Sequence, residues 1–75
     1  MNKLEKNENL NLELWDELDV EINELGRKGD GVVTRGDYKV IIPGVKLYKK
    51  YRVKIVKIKG NSAFAKVIEE LKREG

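Results

Sequence analysis

The side chains best suited to chemistry in this chain are lysines, arginines and a few aromatic rings. Residues 25–66 carry twelve Lys or Arg against two acids, whereas residues 1–24 are strongly acidic and residues 67–75 slightly so. Ammonium and guanidinium groups bind phosphate oxygens, and aromatic rings stack on unpaired bases. The modest net charge of +3 therefore conceals a polarised molecule, and its basic segment predicts a polyanionic partner, RNA or DNA first. The alternative interpretation is that the lysines only keep a small domain soluble and guard its strand edges.

The basic residues predicted to contact a nucleic acid lie on short strands or in a glycine-rich turn. They are Arg27, Lys28, Arg35, Lys39, Lys54, Lys57, Lys59 and Lys66. Phe64 stands between two alanines small enough for a barrel interior, so strand alternation places its ring outward beside Lys66. A ring next to a phosphate anchor is the pairing that single-strand binders use. If Phe64 faces the core instead, the alanines face solvent and no stacking platform exists; Tyr38, next to Lys39, has the same two interpretations.

Other motifs argue against catalysis. Residues 26–31 contain three glycines and predict a tight turn that displays Arg27 and Lys28, but they lack the Walker spacing and no helix pattern follows. Asp30 and Asp37, the only acids of the basic segment, stand beside glycines as turn formers. With no histidine and no cysteine, the commonest general base and metal ligands are missing. The sequence predicts a protein that is no enzyme and has no metal site or cofactor.

Five short strands have to position these side chains. The predicted strands cover residues 19–23, 32–35, 38–42, 51–58 and 62–68. In the fourth strand Tyr51, Val53 and Ile55 point inward, and the alternation slips at residues 56–58, as it does at a β-bulge. Fifty residues cannot form two well-covered sheets, so the prediction is all-β: a small five-stranded antiparallel OB-like β-barrel rather than an SH3-like one.

The ends of the chain differ from the barrel. Residues 1–18 are predicted to be an acidic N-terminal arm, partly disordered or a short helix, because leucines recur at helical spacing although residues 10–14 also alternate like a strand. Trp15 predicts that part of this arm docks on the domain. Residues 19–69 form the barrel, and residues 70–75 form a charged tail. No signal peptide or membrane span is recognisable, so the predicted location is the cytoplasm.

Several segments resemble one known family, the TRAM domain. They are residues 20–32, 40–45, 51–55 and 61–67, in order, within a similarity that covers about residues 19–69. The chain resembles in particular the small stand-alone archaeal TRAM proteins. The resemblance implies an OB-like barrel that binds RNA, tRNA especially, and an RNA-chaperone role like that of bacterial cold-shock proteins. At positions that match the family's RNA-facing residues, this chain has Arg27, Lys28, Arg35, Tyr38 and Phe64.

The chain also departs from the family pattern. Ile41 stands where the family often has an aromatic residue, and Ser62 stands where it usually has Phe. Tyr48 and Lys49 occupy a loop that commonly carries Gly with Asp or Glu. Because each base stack contributes roughly 1–3 kcal/mol, losing two rings predicts binding that depends more on lysines and on salt.

The sequence therefore predicts a monomeric RNA-binding protein, a chaperone of low sequence specificity for tRNA and other structured or single-stranded RNA. The alternative is a protein-interaction module that docks on the ribosome or on an RNA-modification enzyme through Leu14, Trp15 and Leu18. A third interpretation, a chromatin protein with an SH3-like barrel, differs in preferring duplex DNA.

Overall fold

The computed structural model describes residues 12–72; residues 1–11 of the predicted arm and residues 73–75 of the predicted tail lie outside the described residues. Within residues 12–72 the chain forms five strands and no helix. The strands are β1 (Glu17–Glu21), β2 (Gly31–Arg35), β3 (Tyr38–Ile42), β4 (Lys50–Lys59) and β5 (Ser62–Leu71).

All five strands belong to one sheet, in the order β1-β4-β5-β3-β2. Three neighbouring pairs are antiparallel, but β3 and β5 are parallel, with Val40 opposite Ala63. The parallel pair arises because β4 and β5 form a hairpin whose second strand then joins β3. The predicted all-β, OB-like architecture is confirmed, and the expectation of purely antiparallel pairing is corrected at this pair.

The sheet curls into a half-barrel whose edge strands, β1 and β2, approach each other at one end. The Val32 amide donates a hydrogen bond to the Glu24 carbonyl at 3.0 Å, and Leu25 forms an isolated antiparallel bridge with Gly31. The segment that follows β1 thereby ties the two edges together. The curl leaves a concave face that holds the core and a convex outer face.

The core is built from alternate residues of the strands. The fully buried side chains with the largest volumes are Ile22, Val40, Ile42, Val53 and Ile55. Tyr51, Val53 and Ile55 point inward, as the alternation predicts, and Ala63 and Ala65 fill the interior of β5. Small side chains at these two positions let the curled sheet close tightly over its core.

Two residues interrupt the β4–β5 ladder. Val56 has no partner between the pairs of Ile55 and Lys57, and the register shifts again between Arg52 and Val53, which leaves Ile68 of β5 unpaired. The bulge at Val56 confirms the predicted phase slip. An extra residue in one strand bends it and increases its twist, which is how a hairpin of two ten-residue strands curves around so small a core.

The segment before β1 docks through a leucine rather than through the tryptophan. Leu12 is buried in the core, and Trp15 occupies a turn in which its side chain is 62% exposed. The Trp15 amide donates to the Ile55 carbonyl at 2.7 Å, and the Ile55 amide donates to the Asp16 carbonyl at 2.8 Å. Because β4 binds this backbone, residues 12–18 form a turn and the start of a strand instead of a helix.

The two strands that flank β4 differ from their predicted bounds, since β1 lies two residues earlier and β5 ends three residues later. β1 begins at Glu17, which pairs with Lys54, and β5 continues to Leu71, which pairs with Lys50. The ten-residue β4 provides partners for Glu17, Glu69 and Glu70, so these charged residues join the sheet in spite of their low strand propensity.

Candidate nucleic-acid interface

A row of half-buried apolar side chains crosses the outer face. The register places Val32 of β2 next to Ile41 of β3, Ile41 next to Phe64 of β5, and Phe64 next to Lys57 of β4. Val32, Ile41 and Phe64 are each partly exposed, although the core lies on the opposite side of the sheet. We call these three residues the Phe64 platform. Phe64 therefore lies on the outer face, with the flanking alanines in the core.

Lysines surround the platform on the same face. Lys57 places its ammonium group 5.8 Å from the centre of the Phe64 ring, within the range of a cation–π interaction. Lys39 and Lys59 lie on either side of Ser62 in the next row, and Lys66 pairs with Lys54 in the row beyond Phe64. Five of the predicted site residues are thus brought to the face that carries the ring.

The charges on this face are divided into two zones. On the β1 side, Arg52 Nε donates to Asp19 Oδ1 at 2.9 Å, and its Nη1 lies 3.4 Å from Glu69 Oε1. Lys54 Nζ is 3.8 Å from Glu17 Oε2, so this lysine is partly neutralised. In the zone nearer β3 the lysines Lys39, Lys57, Lys59 and Lys66 form no ion pair with any residue between 12 and 72.

The Asp19–Arg52 contact has an electrostatic signature. The hydrogen bond from the Arg52 guanidinium, assisted by its charge, holds the pKa of Asp19 below its usual value. The same hydrogen bond and the Asp19 charge raise the pKa of Arg52. Both groups stay charged at neutral pH and satisfy each other, which leaves Arg52 less able to bind a phosphate than the lysines around Phe64.

Tyr38 and Arg35 lie apart from the platform. Tyr38 is on the side of β3 that carries Val40 and Ile42, where it is half-buried and packs against the core. Arg35 is its cross-strand partner at the end of the β2–β3 hairpin. Strand alternation explains the difference, because Tyr38 and Ile41 are an odd number of residues apart and so face opposite sides. The structure does not bring Tyr38 and Phe64 together.

Arg27 and Lys28 occupy a turn at the end of the molecule opposite the β2–β3 hairpin. The Gly29 amide donates to the Gly26 carbonyl at 2.9 Å, and the Gly26 amide donates to the Asp30 carbonyl at 2.7 Å. Both basic side chains are exposed, so the turn displays them as the glycine spacing predicts.

Val32 is not among the site residues that the sequence predicts, and Ile41 enters the prediction only as a lost aromatic residue. Ile41 is an apolar residue on the polar side of β3, since Val40 and Ile42 on either side of it are fully buried. An apolar side chain out of phase with its strand is the signal that could have identified it. Val32 carries no such signal, because its neighbour Val33 is also apolar and only the pairing shows which of the two faces the core.

Between residues 12 and 72, no group of three or more acidic side chains is arranged to hold a metal ion. No helix in this part of the chain is long and apolar enough to cross a membrane.

Comparisons with known proteins give a consistent result. The family model for the TRAM domain matches residues 13–68. The chain is 39% identical over 54 residues to ribosomal RNA large subunit methyltransferase E of Haloquadratum walsbyi, covering 72% of this chain and 21% of that protein. It is 36% identical over 55 residues to translation initiation factor 2 subunit beta of Thermoplasma acidophilum, covering 73% of this chain and 26% of that protein. The chain thus spans about a fifth to a quarter of these relatives.

A solved structure resembles the fold as well. The solution structure of a conserved protein of Methanococcus maripaludis aligns with a TM-score of 0.70 and 28% sequence identity. The alignment covers 76% of this chain and 81% of that one.

Proposed function

Because the chain belongs to the TRAM domain family, we propose that it binds RNA on the outer face of β3, β5 and β4. TRAM domains are in general RNA-binding rather than catalytic. The names of two relatives refer to ribosomal RNA and to translation initiation. The single observation that supports a site on this face is the Phe64 platform within a zone of lysines.

The proposed mechanism combines stacking with phosphate binding. An unpaired base stacks on Phe64. Ile41 and Val32 extend the apolar surface beneath the RNA strand. Lys57, Lys59, Lys39 and Lys66 contact the phosphates on either side, and Lys54 contributes less because Glu17 competes for it. Backbone contacts carry no sequence information, so one ring among several lysines gives low sequence specificity.

This mode of binding suits an RNA chaperone that acts on tRNA and other RNAs. Lysine contacts with phosphates form and break rapidly, so the protein holds unpaired segments without fixing one structure. We expect Arg27, Lys28, Arg35 and Tyr38 to contribute only to RNAs long enough to extend beyond the platform. A monomeric state and a cytoplasmic location remain predictions.

The test is the substitution Phe64→Leu, which keeps an apolar side chain at a half-buried position and removes the ring. Base stacking contributes roughly 1–3 kcal/mol, so we expect the affinity for unstructured RNA to fall about tenfold or more. Fluorescence anisotropy with labelled single-stranded RNA, tRNA and duplex DNA of matched length measures this change.

Ile68→Ala is the matched control, since Ile68 is an exposed apolar residue of the same strand outside the platform. It should leave the affinity unchanged, and both variants should melt close to the wild-type temperature. Wild-type RNA affinity in Phe64→Leu would refute the platform. A preference for duplex DNA in the wild type would favour the chromatin-protein interpretation.

The exposed turn before β1 supports a second candidate function, docking on the ribosome or on an RNA-modification enzyme. Leu14 is 47% exposed and Trp15 is 62% exposed, whereas Leu18 packs against the core and is not available. Trp15 has a positive φ of 75°, which asparagine adopts more readily. Leu14→Ser with Trp15→Asn should abolish co-sedimentation with ribosomes while RNA affinity stays at the wild-type level.

A further inference from the structure

Tyr48 is an exposed aromatic residue in an uncommon backbone conformation. It is 65% exposed, and its φ is +66°. Positive φ is rare for bulky residues, and this ring gains little from burial. Such a conformation persists only where the surrounding structure determines it.

Backbone hydrogen bonds hold the loop around Tyr48 in place. The Tyr48 amide donates to the Ile22 carbonyl at 2.6 Å, and the Ile22 amide donates to the Lys49 carbonyl at 3.0 Å. The Lys46 amide donates to the Tyr51 hydroxyl at 3.0 Å. Since Ile22 and Tyr51 are buried, the loop is fixed to the core. Because the loop is already ordered, stacking of a base on Tyr48 carries a smaller free-energy cost for ordering the loop.

A cleft of about 320 Å³ opens beside this ring. It is lined by Tyr48, Lys49, Lys50, Glu70, Leu71 and Lys72. Lys49 Nζ binds Glu70 Oε2 at 3.3 Å, so these two charges offset each other. Lys50 and Lys72 form no ion pair with any other described residue. Two ammonium groups next to an aromatic ring form the same combination as Phe64 and the lysines around it.

The neighbouring surface favours the Tyr48 side for an anion. A second cleft shares Lys50, Leu71 and Lys72 with the first, and its lining also includes Asp19 and Glu21. Arg52 already offsets the charge of Asp19, but Glu21 forms no ion pair with any described residue and repels phosphate groups. A phosphate attracted to Lys50 is therefore directed towards Tyr48.

The cleft lies far from the platform along the same hairpin. Lys50 pairs with Leu71, whereas Lys57 pairs with Phe64. Seven residues of extended strand span about 23 Å. The single strands that occupy OB-folds cover about 4–16 nucleotides. One RNA strand can therefore reach both the Phe64 platform and the Tyr48 cleft.

We propose that the Tyr48 cleft is a second nucleotide subsite for the same single-stranded RNA. One base stacks on Tyr48, and the phosphates next to it contact Lys50 and Lys72. This inference rests on the proposed RNA binding at the Phe64 platform. It predicts that the length of the RNA, rather than its sequence, determines the affinity.

The first test compares Tyr48→Asn and Tyr48→Phe with the wild type, using uridine oligonucleotides of about 4 and about 16 nucleotides. Tyr48→Asn should weaken binding of the longer RNA about tenfold, and Tyr48→Phe should bind as the wild type does. Asparagine tolerates positive φ better than tyrosine, so Tyr48→Asn should melt at the wild-type temperature or higher. Lost affinity then cannot be attributed to unfolding.

The second test measures fluorescence from a tryptophan placed in the cleft. The chain has one tryptophan, so the double substitution Trp15→Phe with Tyr48→Trp moves the only tryptophan into the cleft. Stacking of a base should quench its emission when the longer oligonucleotide is added. Unchanged affinity in Tyr48→Asn, or unquenched emission from the introduced tryptophan, would overturn the subsite. If Phe64→Leu still weakened binding, the proposed function would stand; a wild type that binds no RNA would overturn both.

Discussion

In the proposed complex, Phe64 and Lys57 form a pair of side chains that serves both the free and the bound protein. The ammonium group lies 5.8 Å from the centre of the ring, so a stacking base has to displace it. An exposed cation–π contact contributes about 0.5–1 kcal/mol, whereas a base stack contributes roughly 1–3 kcal/mol. The displaced ammonium can then bind a phosphate. The exchange therefore favours RNA, while Lys57 covers an otherwise exposed apolar ring in the free protein.

Asp19 gives a prediction about pH. Its pKa in the folded protein is lowered from the usual 3.8, first because Arg52 donates a hydrogen bond to it. The pair therefore stabilises the fold fully above the usual Asp value, and this contribution is lost as the pH falls through the lowered value. Asp19→Asn should melt below the wild type at neutral pH, and the difference should shrink as the pH falls below the usual Asp value.

Thermal unfolding of both proteins across the acid range measures this difference. Because the pair is exposed, the effect should be small. Glu13→Gln, which changes an exposed acid outside the pair, is the control and should follow the wild type at every pH. A gap between Asp19→Asn and wild type that stayed constant with pH would show that the substitution acts by another route.

At the level of the strands, Gly31 shows how tightly the start of β2 fits the core. A Cβ at this position would lie 2.6 Å from Val45 Cγ2 and 3.2 Å from Ile22 Cδ1. Gly31→Ala should therefore destabilise the fold by about 1–3 kcal/mol, the usual cost of overpacking a core. For a domain of this size that corresponds to a melting temperature roughly 5–20 °C lower.

Gly26→Ala is the matched control for Gly31→Ala. The nearest atom to its added Cβ would be Val32 Cγ2 at 3.4 Å, which is close to ordinary contact. Calorimetry of the two variants should show a clearly larger decrease in melting temperature for Gly31→Ala. Equal losses would mean that β2 can shift away from Val45 at little cost.

The strands differ in how well the sequence predicts them. β4 and the start of β5 carry a clear alternation, so their inward residues and the bulge at Val56 could be predicted from local pattern. β1 begins earlier than its alternation suggests because its first residues are stabilised by pairing with β4, which is a tertiary effect. The parallel pairing of β3 with β5 could not be predicted either, since it joins segments separated by the whole of β4.

The residues of the candidate site also differ in whether local sequence could predict them. The outward position of Phe64 follows from the alanines beside it, which is local information. Its neighbours Ile41 and Val32 reach it only through strand pairing, so they could not be identified from spacing. Tyr38 is a predicted site residue because it is aromatic, lies next to a lysine and matches an RNA-facing position of the family, but the alternation of β3 places it on the side of the core.

Across the whole molecule, acidic and basic side chains are separated on one sheet. The ion pairs among residues 12–72 gather where β4 meets β1 and the end of β5. The lysines around Phe64 stay available on the other part of the outer face. In the proposed complex, the carboxylates of β1 keep an RNA strand away from the β1 edge of the sheet and direct it along β4 and β5, the hairpin that carries Phe64 and borders the Tyr48 cleft.

This separation leads to a prediction about salt. In the proposed mode of binding, the lysines contact phosphates of any nucleic acid, whereas Phe64 stacks only on unpaired bases. Affinity falls with a slope of about −0.9 per neutralised phosphate for duplex DNA and about −0.7 for single strands. With about four phosphates neutralised, raising the salt from about 50 to about 200 mM should increase the preference for single-stranded RNA over duplex DNA about threefold.

Anisotropy titrations of both nucleic acids at the two salt concentrations measure this ratio, and Phe64→Leu separates its two causes. In that variant the preference should be about tenfold lower at both salt concentrations, because only the ring distinguishes unpaired bases. The increase with salt should remain, since it comes from the lysines. A preference that Phe64→Leu does not change would mean that the lysines alone distinguish the two nucleic acids, and that the ring serves only to cover the sheet.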